Sequence, residues 1–255
     1  METVDELQEI CMDFDRAAEM VASELSSRAV PGRAGGMMKY MKSTTPCLGV
    51  DARGQHEVIS LAARLFIPPD RDGYEGLVRR IWSLPSREEK HVAIGLAQAH
   101  RRFVDFDSLG LYELLIREGA WWDHVDWVAI HCVGEALVKD RQAVSAFMRN
   151  WIGDSCMWVR RAALLCQVGH RRQADAGMLF EFCLARSHEK EFFIRKAIGW
   201  ALRDYSYESP DAVAGFLEAN RTRLSGLSCR EGARALVRKG LLEIPAEPAR
   251  GRECR

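Results

Sequence analysis

The stretch Trp121-Trp122-Asp123-His124-Val125-Asp126-Trp127-Val128 carries the strongest chemical signal in the sequence, with three tryptophans and two aspartates inside seven residues. Written as a helix, it sets Trp122 and Asp126 four residues apart on one face, beside an apolar stripe of Val125, Val128, Ala129 and Cys132. An aromatic plane and a carboxylate then share one surface, which suits a positive charge on a ligand or in a transition state. The competing reading is a helix start in which Asp123 caps and the tryptophans pack inward.

The elements that must position these residues emerge from self-similarity. From residue 73 on, a shift of 35 brings Leu77, Tyr112, Phe147, Phe182 and Leu217 onto one position, and Val92, Trp127, Ala162 and Ala197 onto another. The next column is Ala93, Val128, Ala163 and Ile198, and short breaks at Gly119, Lys139-Asp140, Gly153-Asp154, Gly169-His170 and Ser187-His188 separate the helices. Strand-like alternation is absent from the sequence. The spacing predicts an all-α fold, an α-solenoid of HEAT-like helix pairs with a period somewhat below the usual ~40–47 residues. We expect a single domain over residues 1–240, curved into a superhelix with a concave groove, with N-terminal helices in 1–72 and repeats in 73–240. In the N-terminal part, helical patterns run from Val4 to Leu25 and from Gly54 to Phe66, and Pro68-Pro69 ends the second. Ala29–Gly36 and Thr44–Val50 read as breaks, and 241–255 reads as a disordered tail.

One column of the repeat is polar throughout: His91, Asp126, Arg161, Lys196. It precedes the apolar column on the second helix of each pair, the helix that lines the inner face of a solenoid. Trp122, Trp158 and Trp200 stand at helical same-face offsets from Asp126, Arg161 and Lys196. Aromatics beside basic groups suit a ligand that is both anionic and ringed, and nucleic acid fits that description. The structural alternative is a ladder of pairs between neighbouring repeats, each contributing roughly 0–1 kcal/mol if exposed.

Composition sets outer bounds. The chain has 255 residues, 47% of them hydrophobic and 28% charged, and a formal net charge of zero, so it can bury a substantial core without being a generic polyanion binder. No run reaches the roughly 18–20 apolar residues of a membrane span, and the acidic start Met1-Glu2-Thr3-Val4-Asp5 is unlike a signal peptide. A cytoplasmic location is expected. The eight cysteines form no C-x-x-C pair and read as reduced core residues. With no P-loop, no G-x-G-x-x-G and no His/Cys ligand spacing, neither a cofactor nor a metal is expected.

Three blocks taken together resemble a known family. Trp121–Asp126, Met157–Leu164 and Glu191–Tyr205, with Tyr40-Met41-Lys42 and Leu48-Gly49-Val50 before them, are similar to the signatures of the AlkD family of bacterial DNA alkylation repair glycosylases. The resemblance spans about residues 37–240, and His124 and Cys47 depart from its pattern. It implies a HEAT-like solenoid acting as a monomer on double-stranded DNA, removing N3- and N7-alkylated purines. By motif position it implies Asp126 as the catalytic carboxylate and Trp122 and Trp200 as aromatics beside the lesion's sugar. It also implies Arg161 as a phosphate contact, with Arg203 and Tyr40 on the DNA backbone. Lys196 and Trp158 belong to the same expected DNA-binding surface.

The chemistry is coherent on its own terms. An N3- or N7-alkylated purine is already cationic and leaves without a general acid. The remaining need is to stabilise the positive charge developing on deoxyribose, which a carboxylate does electrostatically. The alternative function is a non-catalytic HEAT-repeat protein that binds damaged DNA or a protein partner.

Overall fold

A computed structural model of the chain describes residues 13–242, so the expectations for residues 4–12 and for nearly all of 241–255 lie outside the described residues. Among the described residues every regular element is helical and no strand occurs. The chain divides into two compact units, Met1–Phe147 and Met148–Arg255.

The first unit contains α1 (Phe14–Ser27), α2 (Pro31–Met41), α3 (Ala52–Leu65), α4 (Arg71–Trp82), α5 (Arg87–Ala99) and α6 (Leu109–Gly119). A longer helical segment then runs through α7 (Trp122–Trp127), a π-helical stretch (Val128–Val133) and α8 (Gly134–Lys139). The division between units falls within α9 (Arg141–Trp151). The second unit continues with α10 (Met157–Leu165), α11 (Ala176–Ala185), α12 (Phe192–Tyr205), α13 (Pro210–Ala219) and α14 (Gly226–Arg238). This is the helix-pair repeat of an α-solenoid, and the breaks read at Asp140, Gly153-Asp154, Gly169-His170 and Ser187-His188 fall between its helices, with Gly119 closing α6.

Local chemistry explains where the helices begin. Asp13, Asp51, Asp70 and Asp175 each accept from a backbone N–H in the first turn that follows, and Ser86 forms a capping box with Glu89. The apolar columns then supply the core. Leu77, Tyr112, Val92, Ala162 and Ala197 are completely buried, and Phe182 and Leu217 nearly so. Within the first unit the Tyr74 and Tyr112 hydroxyls meet at 3.0 Å, and Tyr74 also donates to the Ala97 carbonyl at 3.0 Å, so buried phenols tie successive pairs together.

One expectation is corrected. Ala29–Gly36 reads as a break, yet α2 starts at Pro31 and runs through Gly32, Gly35 and Gly36. Proline at the first helical position loses no hydrogen bond and presets φ, and tertiary contacts hold the helix start. Val30 N–H donates to the Leu48 carbonyl at 3.0 Å, and Gly49 lies so close that a Cβ there would stand 2.2 Å from the Val30 carbonyl oxygen. Gly49 has φ +83°, so glycine is required by conformation as well as by space.

The Leu48–Val50 loop is in turn held by Glu88, which is completely buried at the start of α5. Its carboxylate accepts from the N–H groups of Leu48 at 3.0 Å, Gly49 at 2.8 Å and Val50 at 3.2 Å. Replacing Glu88 with Gln keeps the volume but turns an acceptor into a donor facing these N–H groups. A loss of about 2–3 kcal/mol is expected, read as a lower urea midpoint. Arg53→Ala, which removes an exposed pair with Glu57, should change stability by less than about 0.5 kcal/mol. Equal shifts in the two variants would show that the clamp does not hold the loop.

Candidate functional site

The helix α7 opens on Trp121, whose extended backbone is the N-cap, and no side chain caps it. Asp123 therefore does not serve as the cap. It turns instead toward α5, where Arg87 donates to both carboxylate oxygens, through Nε at 2.8 Å and through a second, shorter contact from Nη2. His91 Nε2 lies 3.1 Å from the same carboxylate, and Arg87 reaches on to the Ser43 hydroxyl at 3.1 Å. Burial works to raise the Asp123 pKa, but the hydrogen bonds from His91 and Arg87 outweigh it and hold the carboxyl well below the usual range.

His124 is 1% exposed, with its ring edge-on to His91 at 4.9 Å and to Trp82 at 5.6 Å. Burial pushes its imidazole down to about 3, against the pull of Asp123. Trp127 is anchored by donation from Nε1 to the Gln98 side chain at 2.7 Å. Trp122 is half-buried, and Asp126, one helical turn on, is 8% exposed. Directly after them the backbone widens into the π-helical stretch Val128–Val133, a departure that often marks functional sites. Tyr40, in the last turn of α2, is 74% exposed.

In the second unit, Trp158 and Arg161 meet at Phe193. The Trp158 and Phe193 rings are 4.9 Å apart, and the Arg161 guanidinium lies 5.7 Å from the Phe193 ring centre. Arg161 also donates to the Phe193 carbonyl at 2.5 Å and is only 4% exposed. Lys196 and Arg203 converge on Glu231 of α14, at 2.8 and 2.7 Å. The hydrogen bond from Lys196 leads in lowering the Glu231 pKa, with both cations adding to it against burial. Trp200 is half-buried on the same helix. Gly199 lets α14 approach, since a Cβ there would stand 2.4 Å from the Glu231 Cβ.

Within each unit, members of the polar column find partners on other helices: His91 contacts Asp123, Arg161 the Phe193 carbonyl and Lys196 Glu231. Sequence reasoning missed Arg87, Glu189 and Glu231 as partners. For two of them the signal was present, because Asp123 follows Arg87 by 36 residues and Glu231 follows Lys196 by 35, close to the repeat, whereas Glu189 follows Arg160 by only 29. The π-helical stretch leaves no comparable trace.

The buried imidazole has a pH consequence. Folded His124 stays neutral down to about pH 3, whereas the unfolded residue protonates near 6.5. Between these values the unfolded chain binds the extra proton, so stability is full above about 6.5 and falls as pH drops, by at most about 1.4 kcal/mol per unit. Urea unfolding at several pH values should show this slope, reduced by about one proton in His124→Phe. An unchanged slope in that variant would assign the effect to other groups.

The comparisons agree with this architecture. The family model for the DNA alkylation repair enzyme matches residues 21–236. A solved structure described as a predicted DNA alkylation repair enzyme from Enterococcus faecalis is similar at 25% identity and a TM-score of 0.76, covering 82% of this chain and 97% of that one. No curated protein gives a significant match. With the family match running over most of its length, the chain belongs to the DNA alkylation repair enzyme family.

Proposed function

We propose that the protein is a DNA glycosylase that hydrolyses the N-glycosidic bond of cationic N3- or N7-alkylated purines in duplex DNA. The observation that carries this reading is the Asp126 carboxylate, 8% exposed and one helical turn from Trp122, in a chain of the alkylation repair family. A carboxylate withdrawn from bulk water interacts strongly with charge developing nearby. Asp126 stabilises the cationic deoxyribose as the bond to the base lengthens and positions the attacking water. By motif position Trp122 and Trp200 are assigned to the sugar, as aromatics whose π faces favour a positive charge. Arg203, Lys196 and Tyr40 are assigned to the DNA backbone, where they set register rather than read sequence, and Arg161 and Trp158, buried against Phe193, are assigned to support that surface. The leaving base departs with its positive charge neutralised, so the reaction needs neither a general acid nor a resident metal. Base flipping is also unnecessary, because the chemistry acts on the sugar and selectivity comes from the weakened bond of the lesion.

Two measurements test this. Asp126→Asn keeps the shape and removes the charge. It should retain duplex binding while releasing methylated purine at least about 10²-fold more slowly. Efficient excision of a neutral lesion such as uracil by the native protein, or full activity in Asp126→Asn, would defeat the mechanism. Arg203→Ala should weaken binding to all duplexes alike and lower the salt slope by about one. Unchanged affinity and slope would remove Arg203 from the interface.

A further inference from the structure

The buried imidazole nitrogen His124 Nε2 makes no hydrogen bond. A buried polar atom without a partner costs about 1–3 kcal/mol, so it calls for an explanation. His124 is 1% exposed and cannot be satisfied by bulk water. One donor atom from each of His91, Asp123 and His124 lies within 4.8 Å of the others. The three come from two helices and show no ligand spacing in sequence.

We propose that His91, Asp123 and His124 form a binding site for a divalent transition cation of the zinc class. Tetrahedral coordination at roughly 2.0–2.1 Å places donor atoms about 3.3 Å apart. His91 Nε2 and the Asp123 carboxylate already stand at 3.1 Å. His124 supplies its unpartnered Nε2, and the long 3.4 Å contact from its Nδ1 to the Gly119 carbonyl leaves the ring free to close the remaining gap by a small rotation. The cation takes the place of the hydrogen bond between His91 Nε2 and Asp123, and the His91 ring keeps its proton on Nδ1, leaving the Nε2 lone pair for the metal. Water fills the fourth position.

Two imidazole nitrogens and one carboxylate oxygen suit zinc and its neighbours, whereas magnesium and calcium require oxygen donors throughout. Arg87 grips both oxygens of Asp123 and so orients the ligand, as partners of metal-bound carboxylates do. Its charge also opposes the cation, which puts the affinity below that of structural zinc sites. Asp123 adjoins Trp122, and His124 precedes Asp126 by two residues. Occupancy would tie the first turn of α7, which carries both, to α5. This site lies outside the glycosidic chemistry and stands or falls independently of it.

The test is equilibrium dialysis of the full chain against Zn²⁺, followed by Co²⁺ titration in the visible region and by tryptophan fluorescence. Trp82 lies 5.6 Å from His124 and Trp127 5.8 Å from His91, so bound Co²⁺ should quench emission. One equivalent should bind with the ligand-field bands of a four-coordinate ion. Affinity should fall at least about ten-fold in His91→Gln and in His124→Gln, and persist in a Cys47→Ser, Cys156→Ser, Cys229→Ser protein. His91 is half-buried, so its variant keeps the test open if His124→Gln fails to fold. Absence of binding up to millimolar Zn²⁺, full binding in either folded histidine variant, or loss in the cysteine variant would overturn the proposal.

Discussion

A buried guanidinium needs a carboxylate or carbonyl within reach, and that requirement governs how successive helix pairs sit on one another within each unit. Arg87, 3% exposed, meets Asp123 with two hydrogen bonds. Arg160 meets Glu189 with two more, at 2.8 and 2.9 Å, and uses its remaining donors on the Asp154 and Ser155 carbonyls. Losing one partner of such a pair costs about 3–5 kcal/mol, because the other charge stays buried alone. Apolar packing tolerates small slips between helices. These forked contacts do not, so they set the register that the surrounding core then fills.

The same constraint separates two carboxylates three residues apart. Asp123 is committed to Arg87 and His91 and is held ionised by them. It anchors the start of α7. Asp126 stands one turn further along, beside Trp122 and just before the π-helical stretch. In the sequence Asp123 reads as a cap and Asp126 as the carboxylate of the chemistry, and the structure commits Asp123 to Arg87 and His91 instead of to capping. The tryptophans divide similarly: Trp82 and Trp127 spend their indole N–H groups on Glu118 and Gln98. They frame the two histidines, while Trp122 stays half-buried on the helix that carries Asp126.

Charge placement in the second unit follows the same logic. Lys196 and Arg203 share one acid, so the pair carries more positive charge than Glu231 cancels. A surplus of this kind, tethered but partly exposed, is compatible with an incoming phosphate at little reorganisation cost. The zero net charge of the whole chain conceals it, since net charge averages over faces that a ligand meets one at a time.

The sequence by itself determined the helical class, the repeat and most helix boundaries, because apolar periodicity and capping residues act over a few neighbours. Leu77, Tyr112, Val92 and Ala197 declared themselves by recurrence and are all fully buried. Only the tertiary structure decided that α2 forms through a run of glycines, that Asp123 serves Arg87 rather than a cap, and that His91 and His124 face each other at 4.9 Å. Each of these depends on groups brought together from about 20 to 40 residues apart. Local propensity carries no information about such encounters, whereas the energy of leaving a buried charge or amide unpaired is large enough to override it.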